Sequence, residues 1–250
     1  ASPLLVMDSE NFYETAFCMT ANQLAFQPDK VGLSNQINYL VSHVQNSIVK
    51  ADNGISKLSS EVLNIHGMSS AKVRHLLNNL CNKENTRYFE VRVWKGSTWI
   101  SALYGNRDNI DDAVAIDNWS RFGGPREEFF ENCKKFLPNY AYRVYSENSF
   151  SIDLKSSFIL PMNVYFYDGD HSALSQEMAL TYFDDILDDV FILIVDDWNR
   201  EEVKRGTIQG IQKLNYQVAY QIELPGLKIN DDVNWWNGLY VAVIFKNQTK

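Results

Sequence analysis

Two acidic clusters follow successive apolar segments in the second half of the chain. Asp168, Asp170 and His171 come after one segment, and Asp196 and Asp197 come after the next. If these segments are neighbouring parallel strands, four carboxylates and an imidazole converge on one small volume. Carboxylates at such short distances repel one another strongly unless a cation neutralises them or some are protonated. The sequence thus predicts a divalent-cation site, and oxygen ligands favour Mg²⁺ first, then Ca²⁺ or Mn²⁺, over zinc.

Each of these aspartates has a simpler alternative role as a helix cap. Asp is a favoured N-cap residue, and a solvated Asp that caps the following helix needs no metal. For a single Asp, capping is the better explanation. Two clusters at successive strand ends favour the cation site, because capping each helix requires only one of the acids.

Short apolar runs alternate with helical stretches from Arg87 onward, and these elements must position the acids. The alternation is typical of a parallel sheet with helices on both faces. Ligands of such sheets bind beyond the carboxyl ends of the strands, which is where both acidic clusters fall. The predicted strands are Tyr88–Val93, Ala113–Ile116, Tyr142–Tyr145, Val164–Tyr167, Phe191–Val195, Gln217–Ile222 and Tyr240–Phe245.

The segment from Glu90 through Gly96 is a predicted strand that runs through a short loop into a helix near Trp99. Backbone N–H groups at such a junction face whatever lies above the strand. The segment contains neither GxGxxG nor a Walker loop, which disfavours a Rossmann enzyme that binds NAD or a nucleotide sugar. Taken alone, the junction is better explained as an ordinary β–α turn.

Asp117 follows the second predicted strand, and Glu147 follows the third. An acidic residue at the end of the second strand commonly pairs with a ribose diol, and the nearby Trp119 could stack on a base. The alternative for Asp117 is an exposed loop aspartate.

The first 60 residues are rich in Asn, Gln and Ser, and their apolar periodicity is weak. Spacings of three and four residues predict helices over about 34–51 and 69–81. We therefore predict a helical N-terminal extension over 1–65, serving as a lid or as a contact in a homo-oligomer, and a main domain over 66–250.

The composition excludes several classes of protein. The chain has 250 residues, 45% of them hydrophobic and 22% charged, which is typical of a folded globular protein. Its net charge of −8 disfavours nucleic acid and anionic lipid as partners. Three widely spaced cysteines, an N-terminus without a secretory pattern and the lack of a run of roughly 20 apolar residues predict a cytoplasmic protein without a membrane partner.

Taken together, the strand-end motifs resemble those of the class I S-adenosylmethionine-dependent methyltransferases. The motifs are, in order, YFEVxVWKGST, AIDNW, YxDGDH and IVDDW. Within that class they are most similar to the metal-dependent O-methyltransferases of the macrocin O-methyltransferase group. The resemblance covers about residues 65–246. It implies an α/β fold with a Rossmann-like seven-stranded, mostly parallel sheet, a reversed last strand and helices on both faces.

The resemblance also implies a role for each strand end. Asp168, Asp196 and Asp197 match the Mg²⁺ ligands of the family, and Asp170 matches its general base, so we assign Asp170 and the adjacent His171 to catalysis. The residues expected to bind S-adenosylmethionine are Glu90, Arg92, Gly96 and Ser97 at its methionine end, Asp117 with Trp119 at the ribose, and Glu147 with Ser149 near the adenine. The implied activity is Mg²⁺-dependent methylation of a hydroxyl group of a small molecule or glycan.

Arg92 departs from the family pattern, which usually has a glycine two residues after the acid of the first motif. The arginine could turn away and pair with Glu90, Asp117 or the carboxylate of the cosubstrate, which leaves an active enzyme. It could instead block the site, which leaves a methyltransferase fold with a structural or assembly role. The complete set of metal-site carboxylates favours activity.

Overall fold

The computed structural model describes residues 28–247. Residues 1–27 of the predicted extension lie outside the described residues, together with 248–250. The compact unit that carries the sheet begins at Ile37, within the first helix. None of the described helices has both the length and the apolarity to cross a membrane.

Within the described residues, three helices precede the sheet: α1 (Pro28–Asp52), α2 (Ser60–Leu63) and α3 (Ala71–Leu80). The predicted helix over 34–51 lies within α1, and the one over 69–81 coincides with α3 to within two residues. Oγ of Ser70 caps the first turn of α3. His43 Nε2 lies 3.0 Å from the carbonyl oxygen of Leu80, which joins the second half of α1 to the end of α3.

Seven strands and five further helices follow. The strands are β1 (Thr86–Val91), β2 (Ile110–Ile116), β3 (Arg143–Tyr145), β4 (Met162–Tyr167), β5 (Leu187–Val195), β6 (Gln217–Leu224) and β7 (Leu239–Phe245). The helices are α4 (Ser97–Leu103), α5 (Arg126–Phe136), α6 (Leu154–Ser157), α7 (Ala173–Thr181) and α8 (Glu201–Lys213). Every predicted strand is present, with ends that differ by up to four residues because register and packing, rather than local apolarity, decide where pairing stops.

The strands form one sheet in the order β3-β2-β1-β4-β5-β7-β6. β1 to β5 are parallel, whereas β7 runs antiparallel to both of its neighbours. The predicted seven-stranded, mostly parallel sheet with a reversed last strand is confirmed. The chain order reverses between β1 and β4, which is the position where open α/β sheets bind ligands.

Alternate residues of β1 point to opposite faces of the sheet. Phe89 and Val91 join the hydrophobic core that includes α7 and α8. Tyr88 and Glu90 face the other side, where the ring of Tyr88 lies 5.6 Å from that of Trp99 in α4. The sheet is therefore covered on both faces, which explains why its central strands are almost continuously apolar.

Five strands end in register along what we call the carboxyl edge of the sheet. Val91 pairs with Ile116 on one side and with Tyr167 on the other. Ile116 also pairs with Tyr145, and Tyr167 with Val195. The residues that follow these five strand ends are consequently brought together at one edge.

The contact between α7 and α8 yields a prediction of stability. A Cβ atom added to Gly206 would overlap the carbonyl oxygen of Ala173 and approach Cβ of Gln176 to 2.6 Å. Gly206→Ala should therefore lower the free energy of unfolding by about 1–3 kcal/mol, as overpacking does. Urea denaturation measures this change.

The matched control is Gly32→Ala in α1, where no atom beyond the neighbouring residues and backbone of the helix itself lies within 4 Å of the added Cβ. This variant should gain up to about 1 kcal/mol from helix propensity. Equal stability of the two variants would contradict the close packing of α7 against α8.

Candidate active site

The loop after β1 has an unusual backbone. Arg92, Trp94 and Gly96 have φ angles of 69°, 45° and 87°. A left-handed conformation costs a non-glycine residue about 1–2 kcal/mol. Arg92 thus adopts a backbone that glycine adopts freely, and its N–H donates to the carbonyl of Ile116 at 2.8 Å.

Asp117 holds this loop in place. Its Oδ2 accepts hydrogen bonds from the backbone N–H groups of Val93 and Trp94, both at 2.9 Å. Its Oδ1 accepts from the N–H of Trp119 at 2.7 Å. A carboxylate accepts about four hydrogen bonds, so three backbone donors leave Asp117 with about one acceptor position. The residue predicted to bind a ribose therefore also organises the loops after β1 and β2.

Glu90 is wholly buried beneath the loop. The hydroxyl of Tyr88 donates to Oε2 at 2.7 Å, and that of Thr98 donates to Oε1 at 2.5 Å. Burial raises the pKa of Glu90 to about 8, against the opposing effect of these two hydrogen bonds. Glu90 supports the loop from the α4 side and does not line the cleft described next.

A cleft of about 220 Å³ lies at the carboxyl edge, beyond the ends of β1 to β4. Of the eight residues predicted to bind the cosubstrate, four line it: Arg92, Asp117, Glu147 and Ser149. The apolar part of its wall comprises Val91, Ile116, Phe150 and Tyr167. Half of the residues predicted to bind the cosubstrate thus line the cleft.

The other four predicted cosubstrate residues lie outside the cleft. Glu90, Gly96 and Ser97 are at or below the start of α4. Trp119 is buried, its Nε1 donates to the carbonyl of Trp94 at 2.8 Å, and it lines a smaller cavity beside the cleft. Its ring is therefore placed to support the loop rather than to face the main cleft.

Sequence reasoning missed Arg121, which also lines the cleft. Its Nη2 lies 3.3 Å from Oδ2 of Asp170, an ion pair that joins the loop after β2 to the loop after β4. No motif marks Arg121, because it belongs to an irregular loop whose path the sequence pattern does not specify.

Asp170 stands at the junction of the cleft and the other acids. Its Oδ1 accepts a hydrogen bond from the N–H of Ser172 at 3.0 Å. This bond, together with the charges of Arg121 and Arg92, lowers the pKa of Asp170 below its usual value. Asp170 is consequently an ionised carboxylate facing the cleft at neutral pH.

Three side chains form what we call the carboxylate–imidazole cluster: Asp168, His171 and Asp197. One potential ligand atom of each lies within 4.8 Å of the others. Nε2 of His171 is 2.6 Å from Oδ2 of Asp197, and Nδ2 of Asn237 donates to Oδ1 of Asp197 at 3.0 Å. Burial favours a higher pKa for Asp197, but His171, Asn237 and Arg200 lower it below its usual value.

Asp196 lies next to this cluster but is not part of it. Its carboxyl group is buried, and Oδ1 has no hydrogen-bond partner among residues 28–247. Burial and the charge of Asp197 raise its pKa well above the usual value. Burial, followed by Asp196 and Asp197, likewise raises the pKa of the half-buried Asp168. The predicted metal set of Asp168, Asp196 and Asp197 stays a prediction; the cluster contains two of these acids, Asp168 and Asp197, with His171 in the place of Asp196.

Several solved structures share this fold. The O-methyltransferase from Bacillus cereus in complex with SAH has a TM-score of 0.52 and 10% sequence identity, over 81% of this chain and 90% of that chain. A protein described as a candidate RNA methyltransferase, from Pyrococcus horikoshii, has a TM-score of 0.50 and 10% identity, over 81% and 97%. TrmN from Thermus thermophilus has a TM-score of 0.51 and 11% identity over 74% of this chain, which matches about half (52%) of TrmN.

The chain has the class I fold of the S-adenosylmethionine-dependent methyltransferases. No protein-family model matches the chain, and no curated protein matches it in sequence. The resemblance is thus confirmed at the level of the fold, while the narrower relation to the macrocin O-methyltransferase group stays a prediction.

The hydrogen bonds of Asp117 predict the effect of removing them. Asp117→Ala removes the acceptor of three backbone N–H groups, those of Val93, Trp94 and Trp119, and should cost about 1–3 kcal/mol of stability. Hydrogen exchange at the amides of Val93 and Trp94 should become faster. The control is Asn118→Ala, which alters the adjacent exposed residue. Unchanged exchange in Asp117→Ala would contradict the structural role of this carboxylate.

The raised pKa of Glu90 predicts a pH dependence of stability. The folded protein holds the Glu90 proton up to about pH 8, whereas an unfolded Glu loses it near 4.5. The contribution of this proton to the free energy of unfolding is therefore fully present below pH 4.5 and is lost as the pH rises to about 8. Glu90→Gln should lessen that loss, because Gln does not titrate.

The measurement is the free energy of unfolding of both proteins at pH 5 and pH 8. The wild-type protein should lose more stability between these values than Glu90→Gln does. The half-buried Asp168 and the buried Asp196 contribute a dependence of the same sign to both proteins. Because the charge of Glu90 also raises the pKa of both acids, the difference reports the Glu90 proton together with its effect on them. Identical pH profiles would contradict a protonated Glu90.

Proposed function

We propose that this protein is a cytoplasmic S-adenosylmethionine-dependent O-methyltransferase that acts on a hydroxyl group of a small molecule or glycan. The observation that carries the proposal is the position of Asp170. It lines the cleft, and it belongs to the same loop as Asp168 and His171 of the carboxylate–imidazole cluster. A cosubstrate in the cleft and an acceptor at the cluster would therefore meet beside one ionised carboxylate.

The cleft offers separate contacts for the two ends of the cosubstrate. Glu147 and Ser149, beyond β3, would face the adenine, and the remaining acceptor position of Asp117 would face the ribose. The methionine end would then lie toward Arg92 and Asp170. These assignments rest on which residues line the cleft and on the resemblance.

A divalent cation fits the carboxylate–imidazole cluster. The two carboxylates suit Mg²⁺ or Mn²⁺, whereas an imidazole such as that of His171 suits a transition-metal ion better than Mg²⁺. The unpartnered Oδ1 of Asp196 is a further sign, because a buried carboxylate oxygen without a partner is costly. Once bound, such an ion would orient the acceptor oxygen and lower the pKa of its hydroxyl.

The residues of the chain account for the remaining chemistry. In methyl transfer the acceptor oxygen forms a bond to the methyl carbon as the bond from carbon to sulfur breaks, so the two groups must be held in line. The hydroxyl proton would pass to Asp170. Since the pKa of Asp170 is low, this carboxylate accepts a proton efficiently only from an acidified hydroxyl. His171, paired through Nε2 with Asp197, would orient the carboxylate of Asp197.

The connection between β6 and β7, residues 225–238, would form the acceptor side of the site. It lies at the carboxyl edge, and Asn237 ties it to Asp197. Leu227, Ile229 and Val233 are exposed on it, by 76%, 86% and 67%. These apolar side chains favour an acceptor with an apolar body.

The charge of the molecule argues against an RNA acceptor, although one of the similar structures is described as a candidate RNA methyltransferase. The net charge is −8, and the carboxyl edge carries several carboxylates, so a polyanion would be repelled.

The placement of Arg92 also argues against a purely structural role. A Cβ added to Gly96 would meet Phe129 and Ile100 first, not Arg92. Arg92 instead lines the cleft. The contact role predicted for the N-terminal extension concerns in part residues 1–27, which lie outside the described range.

Isothermal titration with S-adenosylmethionine tests the proposal, with and without Mg²⁺ or Mn²⁺. We expect binding, and release of S-adenosylhomocysteine when catechol-like or sugar hydroxyls are supplied as acceptors. Asp170→Asn should retain cosubstrate affinity but lose turnover by about 100-fold or more, the usual contribution of a general base.

The control variant is Asp153→Asn. Asp153 also accepts a hydrogen bond from the N–H two residues later, but it does not line the cleft. The Asp153→Asn variant should retain turnover. Absence of cosubstrate binding under every cation condition would refute the proposed function, and full turnover in Asp170→Asn would reject Asp170 as the base.

A further inference from the structure

An ion pair spans the cleft at the carboxyl edge. Nη2 of Arg121, in the loop after β2, lies 3.3 Å from Oδ2 of Asp170, in the loop after β4. Since β1 lies between these two strands in the sheet, the pair passes beyond the end of β1. Both residues line the cleft, and their side chains are 62% and 39% exposed. Val91 and Ile116, which form part of the same wall, are buried. The ion pair therefore lies on the solvent side of the cleft and not at its base.

The segment that carries this arginine, residues 120–124, is exposed. It ends in Gly123 and Gly124, whose φ angles of 82° and 60° are left-handed and are adopted freely by glycine. Hinges need a few residues that absorb changes of this kind in the backbone. A further contact of the segment, from Nε1 of Trp94 to the carbonyl oxygen of Phe122 at 3.1 Å, is exposed as well. Movement of the segment thus breaks contacts that water can replace.

The base of the same loop is held separately. Oδ1 of Asp117 accepts the backbone N–H of Trp119 at 2.7 Å, and Nε1 of the buried Trp119 donates to the carbonyl of Trp94 at 2.8 Å. Both hydrogen bonds lie outside residues 120–124. The segment can consequently move while Asp117 keeps its place in the cleft.

We propose that Arg121 and Asp170 form a gate over the cleft, which opens to admit and release S-adenosylmethionine and closes to retain it. This inference rests on the proposed function and extends it to access to the site. An exposed ion pair contributes little free energy and is screened by salt, so the gate opens readily. Because the pair forms both before and after the cosubstrate binds, the gate slows association and dissociation alike and leaves the affinity unchanged.

The gate is compatible with the role proposed for Asp170 as the base. A carboxylate offers about four acceptor positions, of which the N–H of Ser172 and the guanidinium of Arg121 occupy two. The closed gate therefore leaves room on the carboxylate for the proton of the acceptor.

The test measures the association and dissociation rate constants of S-adenosylhomocysteine by stopped-flow fluorescence. This ligand lacks the sulfonium charge, so the net charge of the protein has little effect on its diffusion to the cleft. Arg121→Met should raise both rate constants by up to about fivefold, the range of an exposed ion pair, and change Kd by about twofold or less. An ionic strength of about 1 M, where the Debye length is about 3 Å, should have the same effect on the wild-type protein but none on Arg121→Met.

The matched control is Arg126→Met, which removes the same charge from a nearby exposed arginine. Nε of Arg126 donates to Oγ of Ser146 at 3.0 Å, and Arg126 does not line the cleft. This variant should keep both wild-type rate constants and their dependence on salt. Thermal unfolding of each variant shows that it is folded before its rates are compared.

A double-mutant cycle assigns the effect to the ion pair itself. Asp170→Asn should accelerate binding and release as Arg121→Met does, since either substitution breaks the same contact. The double variant should show no further acceleration, because the two residues act through one interaction. Additive effects of the two substitutions would contradict a shared gate.

Four further results would overturn the inference, and they are distinguishable. If the wild-type protein does not bind S-adenosylhomocysteine, the proposed function fails and the gate fails with it. If the protein binds but Arg121→Met keeps the wild-type rate constants, only the gate is wrong. If Arg121→Met raises the dissociation rate constant alone, Arg121 is a contact of the ligand and not a gate. If Arg126→Met accelerates both steps equally, the effect comes from net charge.

Discussion

The carboxyl edge of the sheet depends on the hydrogen bonds that Asp117 accepts. One side chain at the end of β2 receives two N–H groups from the loop after β1 and one from its own loop. These bonds help to stabilise the left-handed conformations of Arg92 and Trp94, which are costly without glycine. The path of the loop, and with it the side of the sheet that Arg92 faces, follows from this network.

The charges of the acidic residues at the strand ends determine which ligands the same edge can bind. Because five strands end in register, their terminal acids are brought together instead of being spread over the surface. Each acid is stabilised differently: Asp117 by backbone N–H groups, Asp170 by Ser172 and Arg121, and Asp197 by His171. Asp196 lacks such a partner for Oδ1 within the described residues. The acidic surplus of the chain is thus partly a local property of the edge, and it favours a bound cation.

The alternation of apolar runs and helical stretches was sufficient to predict the sheet and the edge at which chemistry occurs. Burial on both faces makes these strands strongly apolar, so they are recognisable one by one. The contacts among the loops were not predictable in the same way. Whether Asp196 or Asp197 faces His171 depends on the left-handed turn at Asp197, with φ of 55°. The ion pair of Arg121 likewise depends on a loop path with no periodic signal. Asp117 was recognised as important, but its bonds to the neighbouring loop depend on side-chain geometry that spacing does not reveal.

The central claim is that one edge of the sheet holds a cosubstrate cleft and a cation site side by side. A crystal structure of the protein with S-adenosylhomocysteine and Mn²⁺ tests it most directly. The account predicts the nucleoside in the cleft between Asp117 and Glu147, the methionine end toward Arg92 and Asp170, and an anomalous peak of Mn²⁺ between Asp168, His171 and Asp197. A cleft without the ligand at saturating concentration, or Mn²⁺ bound only elsewhere, would contradict it.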